Sequence, residues 1–318
     1  MTDFTVLVLE GAYASSVAVT LDVLRAAAAL APRVGAPVPT WRVVSTGAAQ
    51  VGLAGGLSLR AEVLRGAPRP DRSTWIVPGL GLEGPEAMAR RLDEVDARRA
   101  VAWLRQHAGP VAASCSAVFL LQRAGLLQGR RVTTTWWLAA ALQRLEPLCR
   151  VDADHMVCTD GPLTTAGAAL AQADLMLHLL RERHGTALVE AVSRSLLIDA
   201  RQAQAPFIVP EVLAIGDELV ARLAARVERA LPEPPSVAAL ASEFCVSERT
   251  LARRVRQATG KSPLALIQSV RLRRARTLLA GSRLTVEQVA EAVGYQDATA
   301  LRRLMRKLAG GTPSGFRP

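Results

Sequence analysis

Short apolar runs alternate with helical patterns over the first two-thirds of the chain. Residues 5–9 form an apolar run of strand length, whereas residues 16–30 place apolar side chains at three- and four-residue spacing, as an amphipathic helix does. The same alternation predicts further strands at 41–44, 74–77, 111–113, 132–135, 156–159 and 163–165, and further helices at 87–107, 117–124 and 170–184. Strands that alternate with helices form a mostly parallel sheet with helices on both faces, so the sequence predicts an α/β domain.

The strand signal ends near residues 201–211, where the segment Gln-Ala-Gln-Ala-Pro-Phe-Ile-Val-Pro interrupts the pattern. We therefore predict an α/β domain at 1–205, a linker at 206–214 and an all-α domain at 215–318. The all-α domain begins with a helix at 215–230. The segment Pro232-Glu-Pro-Pro235 ends this helix, because proline does not continue one.

The helices beyond residue 236 each begin after a residue that can cap a helix. The caps are Ser236, Ser247, Ser262, Thr285 and Asp297, and the helices are predicted at 237–243, 248–258, 263–280, 286–293 and 298–308. Turns at 244–246 and 294–295 then complete two helix-turn-helix units. The helix between the units has about 18 residues and spans about 27 Å. Because successive major-groove faces of B-DNA are about 34 Å apart, one chain could place two helices into adjacent grooves.

Positive charge is concentrated in the all-α domain. Residues 236–318 contain 15 Lys+Arg and 5 Asp+Glu, a net +10 (15 − 5) of the +11 carried by the whole chain. A basic block of this kind predicts a polyanion partner, here double-stranded DNA, although a solvated arginine-rich surface is the alternative. The residues expected to contact DNA lie on the second helix of each unit: Arg249, Thr250, Ala252, Arg253, Ala298, Thr299, Arg302 and Arg303.

Residues 236–318 resemble the DNA-binding domain of the AraC family. The shared motifs are L-A-x-x-x-x-V-S-x-R-T-L-x-R at 240–253, T-G-K-S-P at 259–263, R-L-R-R-A-R-x-L-L at 271–279, V-A-E-A-V-G-Y at 289–295 and G-T-P-S-G-F-R at 311–317. Cys245 stands in place of the usual turn glycine, and Leu301 and Met305 replace aromatic residues of the last helix. The resemblance implies a sequence-specific, DNA-binding transcription regulator. The alternative is a helical dimerisation bundle with a basic face.

Cys115 is predicted to lie in a turn between strand 111–113 and helix 117–124, with small residues on both sides. Such a turn exposes a thiol to backbone N–H groups and to a helix N-terminus, which lowers the thiol pKa. Because ligands of parallel sheets bind beyond the carboxyl ends of strands, we expect a ligand site here. Its candidate residues are Gly79, Leu80, Cys115, Ser116, Thr135 and Trp136, and either Trp136 or Trp137 is expected to point inward. There are two alternatives for Cys115: a small residue that fits the tight turn and has no further role, and a redox-sensing thiol.

Residues 3–200 resemble the ThiJ/PfpI, class I glutamine amidotransferase-like superfamily, and more closely the AraC-family regulators fused to such a domain, the GlxA type. The motifs that carry this resemblance are Pro78-Gly79-Leu80, Ala124-Gly-Leu-Leu127, Gly129-Arg-Arg131, Thr133-Thr-Thr-Trp136 and Thr165-Ala-Gly167. The resemblance implies a flavodoxin-like fold, a small-molecule effector bound by this sensor domain, and a homodimer formed through it. RNA polymerase is a further candidate partner of such a regulator.

No catalytic residue is assigned to the chain. Related hydrolytic domains carry a histidine after the strand that follows the cysteine helix, whereas this chain has Thr135 there. Ser15 and Ser16 lie where some relatives carry an acidic residue, and His155 is the remaining candidate base for the thiol. We predict no enzyme activity, no cofactor and no metal. The alternatives are a cysteine-dependent hydrolase or amidase with an accessory DNA-binding domain, and a ligand-independent architectural DNA-binding protein.

The cysteines show no metal-binding or disulfide pattern. Cys115, Cys149, Cys158 and Cys245 form no C-x-x-C pair and have no histidine at zinc-ligand spacing. We expect no signal peptide at the start of the chain, and we expect its apolar stretches to be shorter than the about 20 residues that span a bilayer. The sequence therefore predicts a reduced, cytoplasmic protein with no membrane partner.

Overall fold

The chain folds into two compact units, residues 1–201 and 202–318. The computed structural model describes residues 2–66, 71–81, 85–198, 204, 217–309 and 312–313. The predicted linker at 206–214 lies outside the described residues. So do residues 215–216 of the predicted first helix and most of the motif at 311–317.

Within the described residues, the first unit is built on a seven-stranded sheet. The strands of the unit are β1 Phe4–Leu7, β2 Trp41–Ser45, β3 Gln50–Gly52, β4 Ser58–Arg60, β5 Glu62–Val63, β6 Thr74–Val77, β7 Val111–Ser114, β8 Arg131–Val132, β9 Arg150–Val151, β10 Val157–Asp160 and β11 Leu163–Ala166. The main sheet has the order β10-β11-β7-β6-β1-β2-β5; β10 is antiparallel to β11, and the other neighbours are parallel. The predicted mostly parallel sheet is confirmed.

Helices cover both faces of this sheet. They are α1 Ala14–Leu30, α2 Pro85–Leu92, α3 Val95–Gln106, α4 Val118–Arg123, α5 Ala139–Leu145, α6 Gln172–His184 and α7 Thr186–Leu196. Leu7 of β1 belongs to the core that includes residues of α3 and α4, whereas the neighbouring Val6 belongs to the core that includes residues of α1, α6 and α7. Successive strand residues point to opposite faces, so each strand contributes to both cores.

Helix α1 belongs to a longer apolar stretch than we predict from the sequence. Residues Ala14–Val34 have the length and composition of a membrane-crossing helix, by those two criteria alone, although apolar stretches of this length were not expected. In the fold, α1 packs against α6 and α7, and Val17, Val23 and Leu24 are buried. Its apolar character is therefore accounted for by its place in the core of the first unit.

The predicted helix at 87–107 is interrupted. Glu94 adopts an extended conformation (φ −70, ψ 154), which separates α2 from α3. Arg91 at the end of α2 donates hydrogen bonds of 2.8 and 2.6 Å to the Asp96 carboxylate at the start of α3, and it also donates to the Glu10 carbonyl. A largely buried ion pair thus spans the break, and Arg91 also connects it to Glu10 in the segment that follows β1.

The predicted strand at 132–135 ends after Val132. The next residues are buried, and their hydrogen bonds involve side chains instead of a strand ladder. The Thr133 N–H donates to the Thr165 hydroxyl at 2.8 Å, and the Thr134 hydroxyl donates to the Cys115 carbonyl at 2.6 Å. Residues 133–134 are therefore held by hydrogen bonds that involve threonine side chains, and not by pairing with a neighbouring strand.

The second unit is helical over the residues that the structure describes. Its helices are α8 Glu218–Arg229, α9 Val237–Glu243, α10 Glu248–Thr259, α11 Pro263–Gly281, α12 Val286–Ala292 and α13 Ala298–Ala309. The pairs α9–α10 and α12–α13 are the two predicted helix-turn-helix units, and α11 connects them. The predicted capping residues all accept hydrogen bonds from N–H groups of the first helical turn: Ser236, Ser247, Ser262, Thr285 and Asp297. Helix α8 packs against α10 and α11 and so belongs to the same core.

Candidate nucleic-acid interface and ligand site

The turn of the first helix-turn-helix unit contains Cys245. This residue adopts φ 54, in the left-handed region that glycine prefers, and its side chain is exposed. The Val246 N–H donates to the Ala241 carbonyl at 2.9 Å, which closes the end of α9. The backbone conformation explains why a glycine is usual in this turn. The exposure of the side chain explains why a cysteine fits.

Helix α10 presents one basic face to solvent. Leu251 and Val255 are buried on the opposite face, while Arg249 and Arg253 are exposed and lie one helical turn apart. Neither guanidinium has an ion-pair partner among the described residues. Thr250 and Ala252 are half-buried, and the Thr250 hydroxyl accepts a 2.9 Å hydrogen bond from the cap Ser247. The two arginines are thus available to an external acceptor.

The exposed face of α13 differs from that of α10. Thr299, Arg302, Arg303 and Arg306 are exposed, but Arg302 donates to Glu287 of α12 at 3.0 Å. Ala298 was predicted to contact DNA, yet it is 6 % exposed and packs in the core of this unit. The first residue of α13 faces inward because the helix enters directly over that core. Contact between Ala298 and a base is therefore not expected.

The second turn depends on a close approach of two backbone segments. Gly294 has φ 85, and a Cβ atom at this position would lie 2.0 Å from the Pro232 carbonyl oxygen. The guanidinium of Arg271 lies over the ring of the adjacent Tyr295, 5.0 Å from its centroid. The predicted left-handed glycine is confirmed, and its absent side chain lets the segment after α8 pack onto the turn.

In the first unit, the ends of β6 and β7 are locked together. Cys115 has φ 53 and directly follows β7. A Cβ atom on Gly79 would lie 2.9 Å from the Cys115 Cβ, so only glycine permits this approach. The Ser116 hydroxyl accepts from the Leu80 N–H at 2.8 Å and donates to the Leu80 carbonyl at 2.7 Å. The structure thus brings together four of the six predicted ligand-site residues.

The remaining two predicted residues, Thr135 and Trp136, follow the shortened β8 strand. Thr135 is fully buried, and Trp136 is 7 % exposed, with its ring edge-on to Trp137 at 5.0 Å. Trp136 is the inward-pointing member of the pair. The Thr135 and Ser114 hydroxyl oxygens are both buried. Thr135 interacts with the Cys115 thiol, whereas the Ser114 hydroxyl has no hydrogen-bond partner within the described part of the chain. Sequence reasoning missed Ser114, although it immediately precedes the cysteine.

The Cys115 thiol does not have the lowered pKa expected from its turn. Burial raises the pKa of Cys115 to about 11, and hydrogen bonds from the Ser116 backbone and side chain offset this only in part. Only 1 % of the residue is exposed. Desolvation disfavours the thiolate more than the nearby N–H groups favour it. The thiol is therefore protonated at neutral pH.

None of the four histidines in the chain is paired with this thiol. His155 is on the surface, and its Nδ1 is 3.0 Å from Asp152 Oδ2. His178 contacts the Thr159 hydroxyl at 2.9 Å, and His107 contacts the Ser73 carbonyl at 3.1 Å. His184 contacts the Pro37 carbonyl at 3.2 Å. Among the described residues there is also no group of three or more potential metal ligands.

Two family models match the chain. Residues 5–182 match the DJ-1/PfpI family, and residues 240–318 match a helix-turn-helix domain. The HTH-type transcriptional regulator CdhR of Pseudomonas aeruginosa is 27% identical over 319 residues, covering 98% of this chain and 90% of that protein. The HTH-type transcriptional regulator GlxA of Rhizobium meliloti is 32% identical over 205 residues, covering 64% of this chain and 63% of that protein.

Solved structures show the same fold for the first unit. An AraC family transcriptional regulator from Pseudomonas putida has a TM-score of 0.52 at 23% identity, covering 62% of this chain and all (100%) of that one. A THiJ/PfpI family protein from Pseudomonas syringae has a TM-score of 0.50 at 16% identity, covering 84% and 91% of the two chains. The chain therefore belongs to the DJ-1/PfpI family, in the group of AraC-type helix-turn-helix transcriptional regulators.

Proposed function

We propose that this regulator reads DNA through the exposed faces of α10 and α13 and that a small-molecule effector bound by its α/β unit controls this activity. The observation that carries the proposal is the free basic face of α10. Arg249 and Arg253 have no carboxylate partner among the described residues and stand on one face of a helix with a buried opposite side. Such a helix fits the major groove of double-stranded DNA.

The two helices are proposed to read DNA differently. An arginine fork can donate two hydrogen bonds to guanine, worth about 1–3 kcal/mol of discrimination. Arg249 and Arg253 are exposed and suited to this contact, while Thr250 and Ala252 of the same helix are half-buried. In α13, Thr299 suits the thymine methyl group, and Arg302 and Arg303 suit phosphates or bases. Arg302 also donates a hydrogen bond to Glu287, and we propose that this side chain contacts a phosphate and not a base.

The effector is proposed to bind near the ends of β6 and β7. The supporting feature is the buried Ser114 hydroxyl, which has no hydrogen-bond partner within the described residues. A ligand that reaches the group Gly79, Leu80, Cys115, Ser116, Thr135 and Trp136 would supply such a partner. Its binding would change the relative populations of active and inactive arrangements. We also propose a homodimer formed through the α/β unit, with RNA polymerase as a further partner.

We propose that the protein is not an enzyme. The argument is the protonated, buried thiol of Cys115, which no histidine activates. The alternative, a cysteine-dependent hydrolase or amidase, requires that an acyl group be transferred to this thiol. Trapping of an acyl-enzyme on Cys115 with ester or amide substrates tests it directly. A covalent adduct at Cys115, absent in Cys115→Ser, would establish the enzyme instead.

Selection from randomised duplex DNA tests the proposed reading of sequence. The full chain is compared with Arg249→Ala, Arg253→Ala, Arg302→Ala, Arg303→Ala and Arg306→Ala, with Arg229→Ala as a control on the exposed side of α8. Loss of Arg249 or Arg253 should relax the preference at one G·C-containing half of the site. At least one of the α13 variants should weaken binding to all sequences alike. If every variant keeps the wild-type preference and loses only affinity, this division is wrong.

A further inference from the structure

A cleft in the α/β unit lies at the end of the sheet formed by β2 and β5. Its volume is about 670 Å³, within the range of about 300–1,000 Å³ that is usual for small-molecule sites. Residues 47–49 after β2, residues 64–66 after β5 and one face of α3 line it. Because β2 and β5 are parallel neighbours, both loops leave the carboxyl end of the sheet, where α/β proteins bind ligands. The cleft is built from elements other than those around Cys115.

One wall of the cleft is a rigid aromatic surface. Trp103 is half-buried and stacks on Trp75, with ring centroids 6.1 Å apart and an interplanar angle of 19°. Trp75 is itself fixed, because its indole N–H donates to the Asp71 carboxylate at 3.0 Å. Ala102 lines the cleft beside Trp103. This wall offers a flat apolar surface that requires little ordering on binding.

The charged groups of the cleft are arginines. Arg65 and Arg99 both line it, both are exposed, and neither has an ion-pair partner among the described residues. The nearby carboxylates are already occupied. Asp96, which lies beside Gly47, is bound by Arg91, and Glu62 is 3.9 Å from Arg42. The cleft therefore has an excess of positive charge, which an anion would neutralise.

We propose that this cleft is a second ligand site of the α/β unit and that it binds a small aromatic carboxylate. The carboxylate would accept hydrogen bonds from Arg65 and Arg99, and the ring would lie against Trp103. This inference goes beyond the proposed function, because it neither requires the effector near Cys115 nor depends on DNA binding.

Calorimetric titration of the full chain with benzoate and with benzamide tests the site. The two probes have nearly the same shape, but only benzoate carries a charge. Benzoate should bind at least tenfold more tightly than benzamide, and the variant Arg65→Gln/Arg99→Gln should lose at least tenfold in benzoate affinity. Arg98→Gln is the matched control, since Arg98 is exposed on the same helix but does not line the cleft. It should bind benzoate as the wild type does.

Several results would overturn the inference. It fails if benzoate does not bind, if benzamide binds equally well, or if benzoate affinity is unchanged in the double variant. Both replaced side chains are exposed, so thermal unfolding of the double variant should match that of the wild type. A failed benzoate titration together with normal selection of DNA sequences would reject this site alone and leave the regulator function intact.

Discussion

Asp217 and Arg254 connect α8 to α10, the second helix of the first helix-turn-helix unit. The Asp217 carboxylate accepts from Arg254 Nε at 3.0 Å and from its Nη2 at 2.5 Å. The same carboxylate caps α8 by accepting from the Leu219 N–H at 3.1 Å. One side chain thus starts α8 and orients α10. Arg254 faces α8 in this arrangement, while its neighbour Arg253 is exposed to solvent.

Replacement of Asp217 should separate these two roles. Asp217→Ala should destabilise the second unit by about 1–2 kcal/mol, because it removes both the helix cap and the ion pair. Asp217→Asn keeps a capping acceptor and should lose less than half as much. Urea unfolding of the full chain, monitored with a probe located in the helical unit, measures the difference in the free energy of unfolding. Equal stability of the alanine variant and the wild type would show that the contact contributes nothing.

Gly294 should tolerate no side chain. Gly294→Ala places a methyl group against the Pro232 carbonyl at a positive φ. We expect the free energy of unfolding to fall by about 1–3 kcal/mol and the DNA affinity to be reduced. Gly281→Ala is the control, because a Cβ there meets no atom within 4 Å and φ is not positive. That substitution at the end of α11 should leave the melting temperature unchanged or raise it. Similar melting temperatures for the two variants would contradict the packing described here.

The reactivity of the cysteines should follow their burial. At pH 7.5 a thiol with a pKa of about 11 is ionised in roughly one molecule in 3,000, so Cys115 should resist iodoacetamide. Cys245 is exposed and should be alkylated first. Mass spectrometry of peptides from the native protein compares the two rates, and denatured protein gives the reference. Labelling of Cys115 at the rate of Cys245 in the native state would mean that the turn opens to solvent.

Asp71 should make the stability of the α/β unit depend on acid pH. Burial acts to raise the pKa of Asp71, but hydrogen bonds from the Ser73 N–H, the Trp75 indole and Arg42 lower it to about 2. An unfolded aspartate titrates near pH 4, so this stabilisation, about 2 kcal/mol, is complete above pH 4 and is lost as pH falls towards 2. Asp71→Asn should therefore be destabilised at pH 7 but approach the wild type only near pH 2.

Asp22 offers the control for this measurement, because it is exposed on α1. Asp22→Asn should differ from the wild type by no more than about 0.5 kcal/mol at either pH. The comparison uses urea unfolding at fixed ionic strength. If the difference between Asp71→Asn and the wild type were the same at pH 7 and pH 2, the hydrogen bonds to the ionised carboxylate would not be its cause.

The features that the sequence predicted well are those set by local chemistry. Ser236, Ser247 and Thr285 were identified as helix caps because a cap and the N–H groups it binds are at most three residues apart. The left-handed Gly294 follows from the same kind of local rule. The short hairpin of β3 and β4 was missed, although Gly55-Gly56 between the strands is a recognisable turn signal.

The features that could not be predicted depend on contacts distant in sequence. The break between α2 and α3 involves the Glu10 carbonyl, 81 residues from Arg91. The pKa of Cys115 is set by how completely the surrounding segments cover the thiol, and the turn motif alone suggested the opposite shift. Ala298 lies at the start of a basic helix, yet its burial depends on how α13 enters the core. Local pattern and charge do not contain this information.

The length of α11 has a consequence for the DNA itself. A continuous helix of 19 residues, about 28 Å long, connects the two helix-turn-helix units. If α10 and α13 both read DNA as proposed, the two half-sequences must face the same side of the duplex, which repeats about every 10.5 base pairs. Inserting five base pairs between them rotates one half by about half a turn and should abolish simultaneous contact. Because supercoiling changes the twist over the same interval, promoter occupancy should also respond to the torsional state of the chromosome.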